Sequence, residues 1–81
     1  MFRKLVQATE IEIDGRMYAL RYYEQETVRG TKRYSCEVLL GAADRIILDD
    51  DSMTSLESKV TRLAPATVYS RLLAGRPAAA A

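Results

Sequence analysis

Residues 11–23, IEIDGRMYALRYY, decide the fold. Ile11 and Ile13 alternate with Glu10, Glu12 and Asp14, the period-two pattern of a half-buried strand. Asp14-Gly15 follows, a dipeptide suited to a two-residue type I′ hairpin, in which both turn positions need positive φ. A turn at these two residues opposes Ile13 to Arg16, Ile11 to Tyr18 and Thr9 to Leu20. Directly opposed residues of an antiparallel pair share a face. Ile11, Ile13, Tyr18, Leu20 and Tyr22 therefore point one way, while Met17, Ala19, Arg21 and Tyr23 point the other.

Toward the C-terminus, residues 32–40, KRYSCEVLL, repeat the alternation. Tyr34, Cys36, Val38 and Leu40 form the apolar set, with Arg33, Ser35 and Glu37 opposite. For this set to join Leu20 and Tyr22, the numbers of paired residues must sum to an even value. A three-residue turn at Arg29, Gly30 and Thr31, with Val28 opposite Lys32, meets that condition and places Tyr22 opposite Val38. A five-residue loop preserves the same parity, whereas a two-residue loop would turn one apolar set to solvent. Residues 41–50, GAADRIILDD, supply a further reversal and a fourth strand. With residues 41–45 as the turn, Ile46 falls opposite Leu40 and Leu48 opposite Val38. Leu39 and Ile47 are left on the second face beside Met17, Ala19 and Tyr23.

From residue 51 the period changes. Met53, Leu56, Val60 and Leu63 follow the 3, 4, 3 spacing of an amphipathic helix. Ser52 or Asp51 is placed to cap it, and the acidic run 49–51 lies where the helix dipole favours negative charge. Pro65 cannot donate to a helical ladder but suits a first turn. A helix to about Leu63 is therefore expected to kink or to give way to a second one from Pro65 to Ala74. Val68, Tyr69, Leu72 and Leu73 are its apolar residues, and Gly75 ends it. The expected fold is α+β: a four-stranded antiparallel meander packed on one face by a C-terminal helix, kinked or split near Pro65, in the order β-β-β-β-α-α. The expected core joins Ile11, Tyr18, Leu20, Val38, Leu40, Ile46, Leu48, Leu56, Val60 and Leu63.

Eighty-one residues, 48% of them apolar, make one small domain with a thin core. The expected limits are residues 1–75 for the domain and 76–81 for a flexible Ala-rich tail. Cys36 is the single cysteine, which removes disulfide staples and reads as a small core hydrophobe. No signal-peptide or membrane-length apolar run occurs, so a cytoplasmic protein without a membrane partner is the expectation.

Chemistry finds little to work with. Histidine is absent, so neither Ser35 nor Cys36 has that base to activate it. The sequence DDDSMTSLE, residues 49–57, lacks the central glycine and ligand spacing of a calcium loop. Strand alternation would also send Asp49 and Asp50 to opposite faces. Glu24 and Glu26 share a strand face but sit at its periphery. Gly15, Gly30, Gly41 and Gly75 are isolated, so no phosphate loop is present. The expectation is a non-catalytic protein without cofactor or metal.

Two uses of the second sheet face remain. RGTKRYSC, residues 29–36, places three cations and a tyrosine before the cysteine. With Arg21 and Tyr23, the cations Arg29, Lys32 and Arg33 resemble in composition a platform on which single-stranded nucleic acid stacks and pairs its phosphates. Twelve basic against eleven acidic residues give a formal charge of +1, well short of the basic excess usual for such binders. Weak single-stranded nucleic-acid binding or regulation is therefore the alternative. The leading expectation is a protein-interaction or self-associating module. Met17, Arg21, Tyr23, Arg29, Lys32, Arg33, Leu39 and Ile47 are the candidate contacts, and a homodimer is the expected assembly. The exposed edge strand and the C-terminal helix are further candidate dimer contacts.

Overall fold

The computed structural model describes residues 3–74. Four strands, β1 (Arg3–Ile13), β2 (Arg16–Glu26), β3 (Lys32–Leu39) and β4 (Arg45–Asp50), precede one helix, α1 (Met53–Ala74). The strands form a single antiparallel meander in the order β1-β2-β3-β4. Helix α1 runs back across one face, packing on β3 and β4. The architecture is α+β, as the alternation followed by helical spacing indicates.

The first hairpin has the register read from the sequence. Asp14 and Gly15 take φ values of 52° and 79°, and Ile13 pairs with Arg16, Ile11 with Tyr18 and Thr9 with Leu20. What the alternation did not reveal is how far β1 extends. It reaches back to Arg3, because a bulge between Leu5 and Gln7 accommodates Val6 as an extra residue. Two adjacent apolar residues break period two in the sequence, and a bulge restores the facing of the strand beyond them.

The next two hairpins keep the expected faces and slide by one pair. Leu20 lies opposite Val38 and Tyr22 opposite Cys36, rather than opposite Leu40 and Val38. The cause is the turn. Thr27 N donates to Thr31 O at 2.8 Å and Gly30 N to Thr27 O at 2.9 Å, so the three turn residues are Val28, Arg29 and Gly30. A three-residue hairpin needs its left-handed residue last, and Gly30, with φ of 84°, fills that position. With Gly30 last in the turn rather than in its middle, the pairing that follows shifts by one step. Likewise Val38 faces Ile46 and Cys36 faces Leu48. Leu40 N donates to Asp44 O at 2.9 Å, closing the reversal earlier than a turn over 41–45 would.

Helix α1 is continuous through Pro65, which corrects the expected kink or split. Pro65 leaves the Thr61 carbonyl without its ladder donor, but Thr61 is exposed, where water can serve. Leu56, Val60, Ala64 and Val68 are buried at four-residue intervals on both sides of the proline, so packing holds the two halves in line. That stripe replaces the expected one: Ala64 is in the core, whereas Leu63 is 36% exposed. Ser52 caps the start, its Oγ accepting from Ser55 N at 3.2 Å. The core joins this stripe to Ile13, Leu20, Tyr22, Cys36 and Val38, with Ile11, Tyr18, Leu40, Ile46, Leu48 and Met53 partly buried around it. Fully burying a residue such as Leu56 or Val38 contributes roughly 1.5 to 3 kcal/mol. Gly75 as a stop and the tail over 76–81 lie outside the described residues.

Candidate interaction surface

Helix α1 covers one face of the sheet, where its buried stripe joins Leu20 and Tyr22 of β2 and Ile13 at the end of β1; among the described residues the opposite face has no layer over it, and β1 from Arg3 to Glu10 has none on either side. Register places the uncovered face in rows. Ala8, Arg21, Glu37 and Ile47 form the central row, with Ala19 and Leu39 on one side and Tyr23, Ser35 and Asp49 on the other. The candidates Met17 and Ile47 are 56% and 54% exposed there, while Leu39 is half-buried. They do not gather into one patch. Met17, Leu39 and Ile47 lie obliquely across three strands, with the charged side chains of Arg21, Glu37 and Arg45 beside them.

Glu37 is the unexpected member. It is only 4% exposed although it stands on the uncovered face. Arg45 Nη1 donates to its Oε2 at 2.5 Å and Arg21 Nη1 lies 3.8 Å from Oε1, so two half-solvated guanidinium groups roof a buried carboxylate. Central position on β3 puts a neighbour on each side of Glu37, which is what buries it. The sequence alternation assigned Glu37 to this face beside Arg33; the structure gives it Arg45 instead.

The cations of the nucleic-acid alternative are largely engaged. Arg33 donates to Asp49 at 3.0 Å and also to Asp51. The hydrogen bond to Asp49 is the main cause holding the Arg33 proton more firmly than usual. Lys32 lies 3.4 Å from Glu24 on the helix side of the sheet. Arg29 is in the turn, away from the central rows. Tyr23, the ring required for stacking, carries the Arg3 guanidinium 3.8 Å from its centroid. A base arriving there would have to displace a cation already held by the ring.

The three aspartates divide as alternation requires. Asp49 faces Arg33, while Asp50 accepts from Ser55 Oγ at 2.7 Å and lies 3.4 Å from Lys59. Those contacts, the Ser55 hydrogen bond first, hold the Asp50 carboxyl below its ordinary range. On the inner face, burial is the main cause pushing the Cys36 thiol up to about 11. Tyr22, which lies opposite Cys36 on β2, is raised as well, again chiefly by burial. Cys36 is thus a protonated core side chain at neutral pH, without the activation a nucleophile needs. Among the described residues, no group of three His, Cys, Asp or Glu side chains is placed to hold a metal ion, and no helix is long and apolar enough to cross a membrane.

Beyond the uncovered face, two other surfaces stand out. Every residue from Arg3 to Glu10 of β1 is exposed. At the far end of α1, Tyr69, Leu72 and Leu73 are 59%, 53% and 45% exposed, so of the apolar residues expected to pack there only Val68 is buried. No family model matches the chain, and neither a curated protein nor a solved structure matches it.

Proposed function

We propose that the chain is a small self-associating module that works as a homodimer and carries no catalytic step of its own. The observation that supports this reading is the incomplete cover of the sheet: the eleven-residue β1 is an open edge exposed from Arg3 to Glu10. A long edge strand presents a row of backbone donors and acceptors that another strand can complete. A thin core in an 81-residue chain without staples gains from any further burial. The single unpaired cysteine suits a reducing compartment such as the cytoplasm.

Sedimentation equilibrium at tens of micromolar protein tests the reading. Twice the chain mass of 9.1 kDa is expected. A single species at the chain mass over that range ends it.

A further inference from the structure

The dimer surface can be named from charge placement along the sheet edges. Both edge strands carry opposite charges at their two ends, the arrangement that antiparallel pairing with an identical strand exploits. In β4 those charges are already engaged within the chain: Arg45 with Glu37, Asp49 with Arg33 and Asp50 with Lys59. In β1, Arg3 and Lys4 stand at one end and Glu10 and Glu12 at the other. Among the described residues, none of these four forms an ion pair.

We infer that β1 pairs antiparallel with β1 of a second copy about a two-fold axis at Ala8, joining two four-stranded sheets into one of eight strands. This rests on the self-association reading and specifies its surface. Symmetry narrows the register. A two-fold axis perpendicular to the sheet must pass through a residue opposed to its own copy, because neighbouring pairs alternate between hydrogen-bonded and non-hydrogen-bonded types. Val6 is the extra residue at the bulge and is skipped in counting pairs. Centring on Ala8 then opposes Gln7 to Thr9, Leu5 to Glu10, Lys4 to Ile11 and Arg3 to Glu12 of the other copy. Centring on Thr9 leaves Arg3 without an opposite residue in the partner's β1, and centring on Gln7 opposes Arg3 to Glu10 but over a shorter paired stretch that stops before Glu12. The Ala8 register is the one that combines the longer paired stretch, from Arg3 to Glu12, with an opposite-charge pair, Arg3 opposite Glu12, twice per dimer.

Faces agree as well. Arg3 and Glu12 lie on the uncovered side of the sheet, opposite Gln25 and Met17 of β2. Stacked on Tyr23, the Arg3 guanidinium keeps N–H donors at its rim for an incoming carboxylate. Ala8 at the axis brings its smallest available side chain to the point of closest self-approach. The bulge at Val6, often a device that spoils an edge, passes through this pairing unchanged: Val6 and Gln7 together oppose Thr9, as they together oppose Tyr22 within the chain.

The test uses charge reversal and mixing. Glu12→Arg and Arg3→Glu, made separately, each set like charges opposite one another twice in a homodimer. Each is expected to raise the dissociation constant on the order of tenfold or more. Mixing the two variants restores both opposite-charge pairs, so the mixture should dimerise near the wild-type concentration. Both positions are exposed and in no ion pair among the described residues, and circular dichroism of each variant checks that the fold persists. As a register readout, Ala8→Cys should cross-link to a dimer on mild oxidation and Glu12→Cys should not, since only Ala8 meets its own copy. A wild-type monomer overturns both this inference and the reading beneath it. A wild-type dimer that survives both reversals, or that the mixture fails to restore, overturns the β1 pairing and leaves self-association standing. In that case Ile47→Lys and Leu72→Lys distinguish the uncovered face from the helix end.

Discussion

Glu37 shows how much one residue depends on its row. A carboxylate 4% exposed on a face with no layer over it is tolerable only because Arg45 and Arg21 reach it from either side. The shorter contact, 2.5 Å against 3.8 Å, assigns Arg45 the larger role. Arg45 is 60% exposed, so screening limits its worth; Arg45→Ala should cost about 1 kcal/mol in urea unfolding, and Arg21→Ala less. Leu56 is different in kind, being wholly buried against the sheet. Leu56→Ala should remove about 2 to 5 kcal/mol, a large share of a small domain's stability. Cys36 gives a chemical readout. With its thiol pushed up to about 11 and fully buried, it should react with a thiol reagent at pH 8 only as fast as the protein opens. A folded-state value above the unfolded one near 8.5 means stability is complete below that pH and falls as pH rises toward 11. Cys36→Ala should reduce that alkaline loss.

At the level of elements, the helix outlasts its own proline. Four buried residues spaced by four, from Leu56 to Val68, hold α1 straight where backbone bonding alone would favour a break. Pro65→Ala restores one N–H donor to the ladder and should raise stability by about 1 to 3 kcal/mol, read as a shift in denaturant midpoint. A loss instead would mean that the half-buried ring contributes more through packing than it removes from the ladder. The entry to the helix is tied by Asp50, which reaches both Ser55 and Lys59. Its depressed carboxyl gives stability that is present above the unfolded value near 3.9 and lost as pH falls through the lower folded one. Asp50→Asn should therefore flatten the acid limb of a stability–pH curve measured between about pH 5 and 2.

For the molecule as a whole, protection is uneven by construction. Strands β2 and β3 have neighbours on both sides, whereas β1 has one neighbour and no layer above or below it from Arg3 to Glu10. Amide exchange should be slowest in β3 and fastest, among the strands, in the first half of β1 at dilutions where the protein is monomeric. At higher concentration the amides of β1 that point away from β2 should gain protection, with those of β4 unchanged. Equal protection gained at β4 would place the contact on the other edge.

The sequence by itself determined which way the strand residues from Thr9 onward point. Period-two alternation and the Asp14-Gly15 turn are local, and parity survives a slide of one pair, so Leu20, Val38 and Ile46 fall on the helix face in every register with correct parity. It also announced the helix and narrowed its cap to Ser52 or Asp51, of which Ser52 fills the role, because spacing and capping are properties of short segments. Register itself was legible only in part. Gly30 carried the signal for the second hairpin, since a three-residue turn wants its left-handed position last. Only the tertiary structure decided the rest. Continuity through Pro65 depends on a packed stripe that no window around the proline contains. The partners of Glu37, Arg33 and Tyr23 come from other strands, or from the acidic segment that follows β4. Those partners turned a seemingly cationic, aromatic face into a network of internal pairs, while among the described residues Arg3, Lys4, Glu10 and Glu12 of β1 form no ion pair. Side-chain ionic pairing depends on distances across the sheet of a few ångströms, and those distances are set only once register and bulge are in place.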